Sequence, residues 1–110
     1  GYGFWVKERY NKEENKWEQD FIDGYLKIGS ITTRLAASKV NIDDRIVSIN
    51  GARPDENFNF IDLLLNSDID KIQMVLLDQN NEKYNVEIEK HDEEYGILDY
   101  SLREIFISLS

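Results

Sequence analysis

The sequence predicts a small α+β domain built around an antiparallel sheet, and three observations predict it. Five stretches alternate apolar and polar residues with the period of a half-buried strand. Two segments between them carry helix signals. The last two strands are joined by only the polar "NNE", as in a hairpin. The order is strand, strand, short helix, strand, long helix, strand, strand, which suits segregated helices on an antiparallel sheet better than a βαβ succession.

Phe4 to Lys7 reads as the first strand. From Glu8 to Asp20, "ERYNKEENKWEQD" is mostly charged, with Trp17 its one large apolar residue. It reads as a solvated hairpin tip or an irregular excursion. "GYLKIGSI" alternates again and puts Leu26 and Ile28 on one face. Thr33 is placed to cap a short helix over "RLAASK", whose two alanines permit close packing. "DRIVSING" is a strand ending in Asn50-Gly51, a strong turn signal. Pro54, Asp55 and Glu56 then open the second helix, "ENFNFIDLLLNSD", with Phe60, Ile61, Leu63 and Leu64 on a buried face. "KIQMVLLDQ" and "KYNVEIEK" complete the sheet. After Lys90 the composition shifts. Residues 1–90 are therefore taken as the core domain and 91–110 as an extension, a further strand or a linker. "REIFISLS" alternates like a strand, and residues 103–109 are expected to pair with a sheet of their own or a neighbouring copy.

Composition narrows the function. The chain has 110 residues and one proline, and a 41% hydrophobic fraction provides a core despite 32% charged residues. A net charge of −9 offers no basic stripe for nucleic acid or for an anionic membrane. No apolar run approaches a membrane span and no signal peptide is read, although the chain can be an excised piece of something larger. Cysteine is absent, which removes disulfides and thiolate zinc sites. His91, the sole histidine, lies in a polar break and reads as solvated, with no nucleophile beside it, so no catalytic apparatus is expected. "NSDIDK" has oxygen ligands at alternate positions, but Lys71 stands where a calcium loop needs glycine, so no metal is expected either. The acidic pairs Glu13-Glu14, Asp43-Asp44 and Glu93-Glu94 read as solvated surface.

The first four residues, "GYGF", leave three readings open: a hairpin turn, a phosphate loop, or a loop offering bare backbone N–H groups. The order of elements behind them resembles a PDZ domain. "GYGF" sits where that family has its glycine-rich carboxylate-binding loop. "RLAASKVNIDDRIVSING" is similar to its short helix and following strand, "NFNFIDLLLNS" to its groove helix, and the closing hairpin completes the match over residues 1–90. Asp43 and Lys39 depart from it, each standing where the family usually has glycine. No strand precedes the loop and an extra one, "KYNVEIEK", follows. That arrangement resembles the circularly permuted bacterial PDZ domains of carboxyl-terminal processing proteases, with Lys83 to Lys90 in the place of the missing first strand.

The resemblance implies a partly open antiparallel β-barrel or sandwich with two helices, and a non-catalytic module that captures the C-terminus of a partner or substrate. The N–H groups of Tyr2, Gly3 and Phe4 would hold the carboxylate, since successive N–H groups turned into one concavity form an anion nest. The peptide would add as a strand to the edge of Phe4 to Lys7. Tyr2, Phe4, Val6 and Leu64 would wall the pocket for its last side chain. Asn57 and Ile61, one turn apart on the helix, would face it further up. Trp5 points to the other side of the strand, as packing or a rim contact. Asn57 can equally be a helix cap, and Ile61 and Leu64 core. Asn57 also stands in place of the helix-start histidine that would announce a Ser/Thr preference, so ligand class stays open. The resemblance implies no cofactor, and a periplasmic or cell-envelope setting if the parent is a bacterial processing protease. The alternative is a structural or self-associating module whose groove is filled by its own or a neighbour's residues 103–109.

Overall fold

The structure, a computed structural model, describes residues 1–91. The expected strand at 103–109 and the pair Glu93-Glu94 lie outside the described residues.

Strands β1 (Phe4–Val6), β2 (Glu8–Asn11), β3 (Lys16–Gln19) and β4 (Leu26–Ile31) are followed by helix α1 (Arg34–Ala37) and strand β5 (Arg45–Ile49). Helix α2 (Phe60–Leu65) and strands β6 (Lys71–Leu77) and β7 (Lys83–Glu89) complete the order. Five strands form one antiparallel sheet in the order β1-β4-β5-β6-β7, and β2 and β3 form a second, two-stranded sheet. The molecule is a small α+β domain of antiparallel strands in two sheets with two short helices. The charged 8–20 segment, left open between tip and excursion, is a regular hairpin. Asn11 Oδ1 accepts from the N–H groups of Glu13 and Glu14, and Asn15 takes φ 53° to turn the chain.

Strand alternation decides the core. Phe4 and Val6, Leu26 and Ile28, Ile46 and Ile49, and Ile72, Met74 and Leu76 are buried, together with Phe60 and Ile88. Asn50 and Gly51 both have positive φ, at 50° and 82°, and Ile49 and Ala52 exchange hydrogen bonds across them. Positive φ at both central residues is what this tight turn requires and what Asn-Gly supplies.

Gly1 and His91 also exchange backbone bonds: the Gly1 ammonium donates to His91 O at 2.6 Å, and His91 N donates to Gly1 O at 2.8 Å. Gly1, three residues ahead of β1, and His91, two residues past β7, are thereby tied, so the chain ends of the sheet's two outer strands meet at one corner. His91 is half-buried, which corrects its reading as solvated.

Two further readings are corrected. Helix α2 begins at Phe60, not near Pro54, and is six residues long. Asp55 is the reason. Its Oδ1 accepts from Asn57 N and its carbonyl from Phe58 N, so a local turn competes with the first helical turn. The helix cap is Asn59, whose side chain accepts from Ile61 N; Asn57 lies before the helix. The pair Asp43-Asp44 is not simply solvated either. Asp44 is 1% exposed, and its carboxylate accepts from Tyr84 Oη and from Gln79 Nε2, the latter at 3.3 Å. Asp43 reaches φ 73° without glycine and pairs with Lys7, whose hydrogen bond holds the Asp43 carboxyl below its usual range. Lys39 needs no positive φ, because α1 closes with Lys39 N and Val40 N both donating to Ala36 O.

Candidate functional site

Strand β1 is an outer strand of its sheet, so one of its edges is unpaired by any described strand. Its partner is β4, with Phe4 opposite Ile31, Trp5 opposite Ser30 and Val6 opposite Ile28. Thr32 N donates to Gly3 O and Lys7 N to Lys27 O, which makes Gly3–Thr32 and Lys7–Lys27 hydrogen-bonded pairs. Antiparallel ladders alternate such pairs with open ones. The backbone polar groups of Phe4 and Val6 are therefore turned outward, toward the free edge.

The register slips between Trp5 and Val6, and Gly29 is the extra residue opposite that slip. Only glycine fits there. A Cβ at Gly29 would stand 2.6 Å from Lys7 Cα and 2.9 Å from Val6 C. In the sequence, Gly29 is simply one residue of the alternating "GYLKIGSI".

At the head of β1, Gly3 has φ +83°, and a Cβ on it would lie 2.2 Å from Thr33 Oγ1. That hydroxyl is the cap of α1, accepting from Ala36 N. Gly3 is thus fixed by packing against the cap, and a larger residue there would disturb the fold as well as the loop. Among the described residues, the N–H groups of Tyr2 and Gly3 find no acceptor. Lys90 brings a positive charge beside this loop. Its Nζ lies 5.9 Å from the Tyr2 ring centroid and donates to Leu64 O at 3.2 Å and to Asn66 O at 2.7 Å, satisfying carbonyls that the end of α2 leaves open. The hydroxyl of Tyr2 is pushed up from its ordinary pKa by burial first and by the Asp70 charge second.

Tyr2, Phe4 and Val6 are buried and belong to the core. Phe60, fully buried, forms a floor under them, edge-on to Tyr2 at 6.0 Å and to Phe4 at 5.3 Å between ring centroids. Leu64 is half-buried, and Ile61 is 44% exposed on the same short helix. Trp5, expected on the far side of the strand, meets the same floor, 5.1 Å from Phe60. Extra twist at the register slip accounts for rings from successive residues reaching one partner.

Beyond the end of β1 lies a cleft of about 570 Å³ between the β2–β3 hairpin and residues 56–61. Of the residues singled out in the sequence, Trp5, Asn57 and Ile61 line it, while Tyr2, Gly3, Phe4, Val6 and Leu64 do not. Trp17, Phe21 and Phe58 complete its apolar surface. Gln19 sets its width. The Gln19 side-chain amide donates to Phe58 O and accepts from Phe60 N, so the hairpin grips the entry to α2 at both amide atoms. Nothing in the local sequence announces that long-range clamp.

Among the described residues, no cluster of three or more His, Cys, Asp or Glu side chains could hold a metal ion, and no helix is long and apolar enough to cross a membrane. No family model matches the chain, and neither a curated protein nor a solved structure gives a match.

Proposed function

We propose that this domain is a peptide-binding module of PDZ-like type that captures the C-terminus of a partner or substrate protein, as the recognition part of a larger protein. The observation that carries the reading is the open edge of β1 with the Gly1–Gly3 loop at its head. A peptide strand running antiparallel to β1 would meet the outward groups of Phe4 and Val6 and bring its terminal carboxylate to the N–H groups of Tyr2 and Gly3. Phe60, Ile61 and Leu64 would lie under and beside its last side chains. The Gly1–His91 junction supports the permuted arrangement, because the end of β7 delivers the chain to the loop as a preceding strand would. The role is binding rather than catalysis, and no cofactor enters it.

Calorimetric titration with one C-terminal peptide as acid and as amide tests the reading. Hydrogen bonds to a charged group contribute about 1.5–3 kcal/mol, so the amide is expected to bind roughly tenfold or more weakly. Equal affinity would remove it.

The same junction favours a second reading. His91, bound to Gly1, brings the chain to the loop, and in this reading residues 103–109 fill the groove in place of a partner's C-terminus. Deleting residues 91–110 should then raise the affinity for added peptide; an unchanged affinity would remove self-occupation.

A further inference from the structure

We infer that the cleft between the β2–β3 hairpin and residues 56–61 is a second subsite for the same peptide, selecting a large apolar residue and a basic residue upstream of its C-terminus. This rests on the strand-addition reading and extends it.

The first argument is continuity. With its carboxylate at Gly3 and its direction opposite to β1, a bound peptide leaves the far end of β1 beside Glu8, where the hairpin begins. At about 3.4 Å per residue, its fifth to seventh residues from the end reach the hairpin wall of the cleft, beyond the part that Trp5 and Ile61 line. The second argument is apolar surface. Gln19 and Trp17 share one face of β3, since strand residues two apart point the same way. Gln19 reaches Phe58 and Phe60, so Trp17 overhangs the same cleft. It is 66% exposed and is held by an edge-on contact with Tyr10, its cross-strand neighbour, at 5.4 Å. An exposed, pre-positioned indole facing Phe58 and Ile61 across about 570 Å³ has room for one bulky side chain.

The third argument is charge. Arg9 and Lys16 border the cleft but are engaged, Arg9 with Glu18 at 3.9 Å and Lys16 with Glu14 at 2.8 Å. Glu8 and Glu56 line it without an ion pair among the described residues. In a protein of net charge −9 they leave a local demand for a cation. The occupant is therefore an apolar and basic stretch just ahead of the anchored end.

The experiment uses the full chain, calorimetry and three ten-residue peptides sharing one C-terminal tetrapeptide. One has alanines upstream as a free acid, the second has Trp and Arg upstream as a free acid, and the third is the amide of the second. The second should bind about tenfold tighter than the first. Trp17→Ala should abolish that advantage while leaving the alanine peptide's affinity unchanged, and Glu8→Gln with Glu56→Gln should reduce it severalfold. Trp17 is exposed, so its loss tests the subsite rather than the fold, which amide NMR spectra of the variant would verify. If both acids bind alike and more tightly than the amide, the subsite is overturned and strand addition survives. If acid and amide of the second peptide bind alike, strand addition fails and the subsite with it.

Discussion

The hydroxyl of Tyr84 on β7 donates to the buried carboxylate of Asp44, which precedes β5. Two residues 40 apart in sequence thereby tie the last described strand to the turn entering a central one, across β6. Gln79, from the β6–β7 turn, supplies the other oxygen's partner. A carboxylate this deep persists because both oxygens are satisfied.

Tyr84→Phe should therefore cost more than its lost atom suggests. It leaves one oxygen of a buried carboxylate without its donor, and hydrogen bonds to charged groups contribute about 1.5–3 kcal/mol. Denaturant unfolding should show a loss in that range, with Asp44→Asn in the Phe background recovering part of it by removing the stranded charge. A change below ~0.5 kcal/mol in Tyr84→Phe would mean that water replaces the hydroxyl.

Alkaline stability follows from the same pair. Burial first, then the bond to Asp44, raises the Tyr84 pKa well above its ordinary 10.0. The folded state then keeps a proton that the unfolded chain releases. The stabilisation is fully present below about pH 10 and is lost as the pH rises from there toward the folded value. Tyr2 is raised too, by burial and Asp70, and adds to the same slope. Thermal melts between pH 9 and 12 should show the midpoint falling, and Tyr84→Phe should flatten part of that fall. Identical slopes would place the titration elsewhere.

What the sequence made legible was local. Alternation located the sheet strands, Thr33 was recognisable as a cap, and Asn50-Gly51 announced its turn, because each is decided within a few residues. The rest was decided between distant ones. Asp43-Asp44 looked like a solvated pair because a carboxylate's burial depends on Tyr84 and Gln79, far along the chain. The start of α2 was misplaced because Asp55 diverts the backbone into a turn that Gln19 then locks. Gly29 passed as an ordinary strand residue because its necessity comes from Lys7 and Val6 across the ladder. Of the candidate site, the edge strand and its loop were readable, while the cleft was not. It exists only where the hairpin meets the segment before α2.

Gly29→Ala should show that necessity directly. The added Cβ meets backbone atoms of Lys7 and Val6 at 2.6–2.9 Å, and no side chain can move aside to relieve it. Strand β1 must shift, at the ~1–3 kcal/mol typical of overpacking. Peptide affinity should fall along with stability, since β1 presents the docking edge. Loss of stability with unchanged affinity would separate the edge from binding.

Gly3 and Thr33 should be coupled. Gly3→Ala strains a φ of +83° and drives a Cβ into the Thr33 hydroxyl, while Thr33→Ala removes the cap, worth about 0.5–2 kcal/mol. In the double variant the closest clash disappears, so the combined loss should be smaller than the two single losses together by roughly 0.5 kcal/mol or more. Strict additivity would mean that the loop already stands clear of the helix cap.

Gln19 offers the most specific test of how the cleft is held. Its amide both donates to Phe58 O and accepts from Phe60 N, so alanine strands two backbone groups at once. The expected cost is about 1–3 kcal/mol, with faster hydrogen exchange at the Phe60 amide. Glutamate separates the two bonds. It keeps an acceptor for Phe60 N but turns an oxygen toward Phe58 O, so Gln19→Glu should retain protection of the Phe60 amide and still lose stability. Because Phe60 floors the loop and Ile61 lines the cleft, loosening this grip should weaken peptides with a bulky upstream residue more than those without. If Gln19→Ala leaves exchange at Phe60 unchanged, α2 is positioned by the burial of its phenylalanine alone, and the hairpin merely rests against it.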